Sequence, residues 1–440
     1  MKRIYFYLIS LTAILGFTSC LDKYSEELLL NTPVYMDYST LRSSVQSSQA
    51  RDLVRPGKIC FYDKYLLIVE YHEGVHVIDV SNPANPQNKS FVEVPGCVDI
   101  AVKNNVLYAD SYVDLVAIDL SNIAQPKEKN RLKDVFPYMV PKAENENLPY
   151  ASVDQTKGVV VSWEAKREKR DLEQRNYITY PIYYTYDKYR ALYDLGASFA
   201  TNSGSGSGPG PGASVSFGKS GSMARFGLYD KFLYIVNNYL LYLIDVENAD
   251  TPIKAGSMGV GSNVETLFAY NGYLFFGTTT GMLVYSLAIP NTPVYIGTFW
   301  HVTSCDPVVI QDEYAYITLR SGTACNNTTV NRLDIVKCSS DYKQYTLVNS
   351  NTMSEPYGLG VDGNLLFICD GAAGLKVYDA TDKTNLKLLN TFKNIQTYDV
   401  IPVDGYLFMI GNGGFYLYDY SDINNIRQIG QIPVKKITID

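Results

Sequence analysis

Histidine is scarce in this sequence: His72, His76 and His301 are the three among 440 residues. None sits in an H-E-x-x-H pattern, and no G-x-S-x-G or Walker-type loop occurs. The short signatures of zinc hydrolases, α/β-hydrolases and nucleotide-binding folds are therefore missing. Seven cysteines show no C-x-x-C spacing, which argues against a zinc site. Positive charge is short as well. With 38 Lys and Arg against 45 Asp and Glu the formal net charge is −7, and no basic block marks a nucleic-acid surface. The apolar run at 4–17 is too short to span a membrane. What is abundant is tyrosine, 38 residues, within a composition 46% hydrophobic and 19% charged, ample for a large core.

The N-terminus MKRIYFYLISLTAILGFTSC reads as a signal peptide over 1–19: Lys2 and Arg3, an apolar stretch, then Thr18-Ser19-Cys20. Small residues before a cysteine resemble a bacterial lipobox, which implies cleavage before Cys20 and lipidation of its thiol. Phe17, three before the cysteine, departs from the usual pattern, and ordinary secretory cleavage is the alternative. Removal of 1–19 takes two positive charges away, moving the balance from −7 to −9. Asp22, Glu26 and Glu27 resemble the acidic surface-export signals of Bacteroidetes lipoproteins. The expected location is the outer membrane on its surface side, with the membrane reached through the lipid. Residues 20–56 read as a tether in which Pro33-Val34-Tyr35-Met36 can pair as an edge strand, whereas 46–49 is polar and aperiodic.

From 57 onward a frame G-x-x-V-x-D-x-S/T recurs, as in GLKVYDATDKTNLKLL at 374–389. Each copy follows a strand-like partner: YLLIVE before GVHVIDVS, VLYADS before DLVAIDLS, FLYIVN before LLYLIDVE, YLFFGT before GMLVYSLA, YAYITL before TVNRLDIV, LLFICD before GLKVYDAT, and YLFMIG before GFYLYDYS. Asp79, Asp119, Asp245, Asp334, Asp379 and Asp419 share one slot, with Ser286 substituting. The segments are short, β-branched and aromatic, and bounded by Gly, Asn, Asp or Pro, so they read as strands between turns. A period near forty residues is that of propeller blades. One four-stranded unit cannot bury both faces, but units packed around a ring can. The Asp-x-Ser-Asn-x-x-x-Pro run is expected to be a turn device, its side chains accepting nearby backbone N–H. The fold class is all-β: a β-propeller of four-stranded blades spanning 57–440, eight in number, with seven as the alternative.

The eighth unit is a degenerate third blade built from 152–164, followed by an insertion at about 165–222. The insertion opens with the charged EAKREKRDLEQR. It continues through a stretch holding Tyr177, Tyr180, Tyr183, Tyr184, Tyr186, Tyr189 and Tyr193, and closes with SGSGSGPGPG. ASVSFG at 213–218 is expected to return as the missing third strand.

Segments 65–86, 98–121 and 305–325 together resemble the LVIVD-repeat β-propeller lipoproteins of gut Bacteroidetes. The resemblance covers about 57–435 and implies a propeller displayed outside the inner membrane, without an assigned chemistry. Fold analogy alone licenses no function.

Cys60 and Cys369 lie in apolar strand-like runs and read as buried small hydrophobes. Cys305 and Cys325 bracket a hairpin and are expected to pair as a disulfide in an oxidising compartment, with Cys338 the rival partner. In a propeller the innermost strand begins on the face that carries the loops between second and third strands. That places Lys58, Asp99, Arg225, Glu265, Asp306 and Asp399 around a channel mouth, and His72, Tyr112, Trp163 and Arg320 on loops of the same face. Tyrosine-rich loops offer rigid area with a hydroxyl handle. Trp163, Tyr177, Tyr180, Tyr183, Tyr184, Tyr186, Tyr112, His72 and Arg320 are therefore the candidate ligand-binding residues, for a glycan or an envelope protein. The competing reading is that the tyrosines cover the ring. No cofactor is implied. A structural calcium held by the mouth carboxylates is weighed against a solvated mouth balanced by Lys58 and Arg225. No catalytic residue is assigned, and the expected role is non-catalytic binding or scaffolding. The alternative is a glycan hydrolase or lyase using Asp99, Asp306 and Asp399.

Overall fold

A computed structural model describes residues 25–171, 217–222, 224–302, 304, 307–322 and 329–435. Within them the repeat closes into a ring of seven four-stranded antiparallel blades. Blade 1 is Pro56–Tyr62, Tyr65–Glu70, Gly74–Asp79 and Gln87–Glu93. Blade 2 is Ile100–Lys103, Val106–Ser111, Asp114–Asp119 and Lys127–Leu132. In blades 3 and 4 strands run on through corners: Phe226–Tyr229, Phe232–Asp245, Ile253–Tyr270, Tyr273–Thr278, Gly281–Ser286 and Val294–Trp300 form one continuous sheet. Blade 5 holds Val308–Gln311, Tyr314–Leu319, Arg332–Cys338 and Tyr345–Thr352. Blade 6 holds Leu359–Asp362, Leu365–Cys369, Leu375–Asp379 and Lys387–Phe392, and blade 7 Thr397–Val403, Tyr406–Gly411, Gly414–Asp419 and Arg427–Pro433.

Both faces of each blade are apolar because both are covered. Leu67, Val75 and Val77 pack on Val102, Leu107 and Val116 between blades 1 and 2, and Tyr316 and Leu333 on Leu359 and Leu366 between blades 5 and 6. The ring closes where Ile59, Leu66 and Ile68 of blade 1 meet Val400, Leu407 and Met409 of blade 7, with Phe61 stacked on Phe408 at 5.0 Å. A parallel bridge between Leu53 and Val434 and an Asp52–Lys435 ion pair of 3.0 Å reinforce that seam.

The turn device holds in six blades. Asp79, Asp119, Asp245, Asp379 and Asp419 each accept the backbone N–H two residues on, at 2.8–3.0 Å, and Ser286 does so at 3.3 Å. In blade 5 the expectation fails. Asp334 lies inside its strand opposite Ile317, fully buried, and binds Arg332 and Ser350. Lys337, opposite Tyr314, holds the slot that Asp334 was expected to fill.

The third unit is not a blade. Val159–Asp171 pairs antiparallel with Ser25–Met36, from Met36 opposite Val159 to Ser25 opposite Asp171, and these two strands form a separate ribbon. Pro33 to Met36 thus do pair, but outside the ring. The polar 46–49 stretch also forms a strand: Gln46–Gln49 adds to the outer edge of blade 1 opposite Ser90–Glu93. Asp37 caps the short helix Tyr38–Leu41 through Thr40 N–H, and Arg42 then grips Asp114 and Asp134 of blade 2.

Candidate functional site

Strand register settles the geometry of the expected face. Pro56 stands opposite Glu70, and Gly74 opposite Glu70 and Glu93. The start of the innermost strand, the loop after the second and the end of the fourth therefore lie at one end of the blade.

The expected channel mouth is a sealed core. Lys58, Asp99, Arg225 and Asp399 are at most 5% exposed. Lys58 Nζ lies 3.2 Å from Asp99 Oδ2, and the Arg225 backbone N–H donates to the same oxygen at 2.6 Å. Arg225 Nη2 reaches Asp110 Oδ2 at 3.2 Å. Asp110 Oδ1 accepts the N–H groups of Val98 and Asp99 at 2.7 and 2.9 Å. Burial pulls the Lys58 ammonium below its ordinary pKa, against the pull of Asp99, and pushes the carboxyls of Asp110 and Asp399 up. Glu265 is half-buried at the start of the blade 4 inner strand, and Asp306 lies outside the described residues.

The seal comes from the last part of the insertion. Lys219–Ser220 pairs with Phe61 and Cys60 on the axial edge of blade 1, not as a third-blade strand. Gly218 N–H donates to Val102 O of blade 2 at 2.7 Å. Lys219 Nζ donates to Pro402 O of blade 7 at 3.0 Å, and Ser222 Oγ accepts Leu359 N–H of blade 6 at 3.3 Å. Residues 218–222 thus line the axis against four inner strands. Gly218 is required there: a Cβ would come within 2.7 Å of Cys60 Sγ and 3.0 Å of Val102 Cβ. A calcium ion needs several oxygen ligands, yet Asp99 and Asp110 spend theirs on Lys58, Arg225 and backbone N–H. No group of three or more His, Cys, Asp or Glu among the described residues is placed to hold a metal.

Asp110 was not singled out from sequence, although its pattern was visible. An acidic residue closing an apolar second strand does the same work in three blades. Glu70 accepts Val54 and Arg55 N–H and contacts His76 Nε2 at 3.0 Å. Asp370 accepts Ser354 and Glu355 N–H, with Lys376 Nζ at 2.6 Å. Each such carboxylate ties the connector entering its blade, a task that continuous charge-assisted bonds perform well.

Of the expected ligand-binding residues, the structure brings His72 and Tyr112 together. The His72 ring stacks on Tyr71 at 4.0 Å and tilts toward Tyr112 at 5.8 Å. Both residues have positive φ, 64° and 55°, a conformation uncommon for bulky side chains. His72 N–H donates to Cys97 O, and its carbonyl accepts Gly96 N–H, both at 2.9 Å. Gly96, at φ +82°, leaves room for the Tyr112 ring, which a Cβ would meet at 2.4 Å. This aromatic corner, with Tyr71 buried and His72 and Tyr112 half-buried, spans blades 1 and 2, rimmed by Glu73 with Arg51 and Arg55. Trp163 stands apart on the ribbon, its Nε1 donating to Pro141 O at 2.5 Å and its ring edge-on to Tyr150. Arg320 lies on blade 5, 5% exposed, over the Tyr357 ring at 4.2 Å. Trp163 is half-buried there, and Arg320 is buried. Cys20, Tyr177, Tyr180, Tyr183, Tyr184, Tyr186, Cys305 and Cys325 lie outside the described residues. Cys338, the rival disulfide partner, is free and buried, as are Cys60, Cys97 and Cys369.

Residues 57–94 and 97–134 match the LVIVD repeat. One repeat is one blade: the two matches coincide with blades 1 and 2. Among solved structures, the chain is similar to a periplasmic gluconolactonase from Pseudomonas aeruginosa, with TM-score 0.50, 8% identity, and coverage of 89% of this chain and 96% of that one. It is also similar to BamB from Moraxella catarrhalis (TM-score 0.43, 8% identity, 90% and 98% covered) and to a protein from Lactobacillus plantarum (0.48, 10%, 84% and 97%). At 8% identity, the likeness to the gluconolactonase speaks to the fold alone. A search of curated proteins finds no match.

Proposed function

We propose that the protein is a non-catalytic binding or scaffolding propeller, held at the outer membrane by a lipid on Cys20 and presenting the face of the aromatic corner to a glycan or protein partner. The observation that carries this reading is the sealed axis. Of the carboxylates that an enzyme on this ring would use, Asp99 and Asp399 are at most 1% exposed, Asp306 lies outside the described residues, and residues 218–222 run along the inner strands beside them. General acid-base catalysis needs a group within hydrogen-bond reach of substrate, which carboxylates buried to this degree do not offer. The aromatic corner instead presents the partly exposed rings of His72 and Tyr112, prearranged by backbone bonds at Cys97 and Gly96, which lowers the ordering cost of binding.

The test is a polysaccharide panel scored for binding and for release of reducing or unsaturated ends. It uses three forms: the parent chain, His72→Ala, and a form with 172–216 replaced by a Gly/Ser linker. The last keeps both the ribbon and the axial strand. Binding without product, weakened by either change, supports the reading. Product formation overturns it. Silence from all three directs the search to protein partners by crosslinking in the envelope.

A further inference from the structure

The four strands of every blade are consecutive in the chain, and the chain itself joins each blade to the next around the ring. The junction of blades 7 and 1 is the exception, because there the two ends of the repeat meet as separate sheets. Its apolar faces, Ile59 and Leu66 against Val400 and Leu407, resemble those between other blades. What it lacks is a run of chain to hold its two sides together when the packing loosens. Local opening draws on the least restrained parts of a fold.

Both ends of this junction carry added bonds. At the end where the inner strands begin, Leu53 bridges Val434, Lys435 N–H donates to Leu53 O at 2.8 Å, and Lys435 Nζ pairs with Asp52 at 3.0 Å. At the other end, where Tyr62 stands opposite Tyr65 and Val403 opposite Tyr406, the bonds come from residues 217–222. Lys219 pairs with Phe61 of blade 1, and its Nζ donates to Pro402 O of blade 7 at 3.0 Å. Burial lowers the pKa of this ammonium, and the carboxylates of Asp362 in blade 6 and Asp404 after the inner strand of blade 7 work against that fall. Beyond blade 1, Phe217 bridges Lys103 and Gly218 N–H donates to Val102 O, both in blade 2. Beyond blade 7, Ser222 Oγ accepts Leu359 N–H of blade 6. The segment thus grips two blades on each side of the junction, although in sequence it leads into blade 3. We propose that residues 217–222 are a clasp that holds the ring closed between blades 7 and 1.

The two halves of the clasp differ in kind. Toward blades 1 and 2 its bonds are backbone to backbone, whereas toward blades 6 and 7 they run through the side chains of Ser222 and Lys219. Removing the Lys219 ammonium therefore leaves the strand on blade 1 and releases blade 7. A hydrogen bond from a charged donor is stronger than a neutral one, and losing one shifts an opening equilibrium roughly ten- to hundredfold.

The experiment compares backbone hydrogen exchange, read by mass spectrometry, in the full chain and in Lys219→Met. Pro402 contributes only an acceptor to the bond, so its loss bares no amide directly and faster exchange reports opening. Exchange is expected to quicken roughly ten- to hundredfold in Thr397–Val403 and at 434–435, at the far end of the same junction. Val308–Gln311 of blade 5 is expected to stay as in the parent. No change at 434–435, or an equal increase in all seven blades, overturns the proposal. If Lys219→Met fails to fold, Lys219→Gln, which keeps a neutral donor, is expected to give a smaller increase at the same strands, and a uniform or absent increase overturns the proposal equally.

Discussion

Asp399 offers the sharpest test of the sealed axis. It is fully buried, and burial raises its carboxyl well above the ordinary 3.8, opposed by the Val400 N–H and the Lys58 charge. The folded state therefore holds a proton that the unfolded chain has already released as pH rises beyond 3.8. When the native state binds more protons, stability falls as pH increases. The contribution is fully present below the unfolded pKa and is lost as pH climbs through the folded one. Each pH unit in that window is worth about 1.4 kcal/mol, which bounds the loss between about pH 5 and 7 at about 3 kcal/mol. Asp399→Asn keeps the oxygen that accepts Val400 N–H and removes the titration. Urea unfolding of parent and variant at the two pH values measures the difference directly, because every other group is common to both. The variant is expected to lose less stability than the parent on going from pH 5 to pH 7. An identical pH dependence, or a variant that weakens as pH rises, would mean that Asp399 is ionised against Lys58, and the argument from burial would fail.

Gly218→Val pushes a branched side chain into Cys60 and Val102, and overpacking of this kind costs about 1–3 kcal/mol, read as a lower urea midpoint. Glu70→Ala strips the acceptor from Val54 and Arg55 N–H and the partner from His76. At about 1–3 kcal/mol per orphaned buried group, the variant should unfold earlier and open the 51–55 connector to protease; unchanged proteolysis would refute the connector role. Cys20→Ser is expected to move the chain from the membrane fraction to the soluble one, and continued membrane retention would count against the lipid anchor.

The aromatic corner illustrates how far residue patterns reach. His72 and Tyr112 were legible as loop residues because the strand pairs around them repeat. Their meeting was not, since it depends on Gly96, more than a dozen residues from either strand-two loop partner, leaving space for a ring. Trp163 and Arg320 were legible as loop residues by the same logic, yet the neighbours they pack on, Pro141, Tyr150 and Tyr357, come from other segments that no local pattern points to.

The blade, its four strands and its turn device were determined by the sequence, because hydrogen bonds between adjacent strands and from Asp79 or Asp419 to a residue two positions on are local. The count of seven was decided only in three dimensions. The first part of Val159–Asp171, VVVSWE, has the composition of a blade strand, but its partner Ser25–Met36 lies more than a hundred residues away, and strand pairing at that separation leaves no periodic trace. The same holds for the axis: Lys219 and Ser220 carry no mark of an inner strand, and their place is set by the unpaired edge that Cys60 and Phe61 present once the ring has closed.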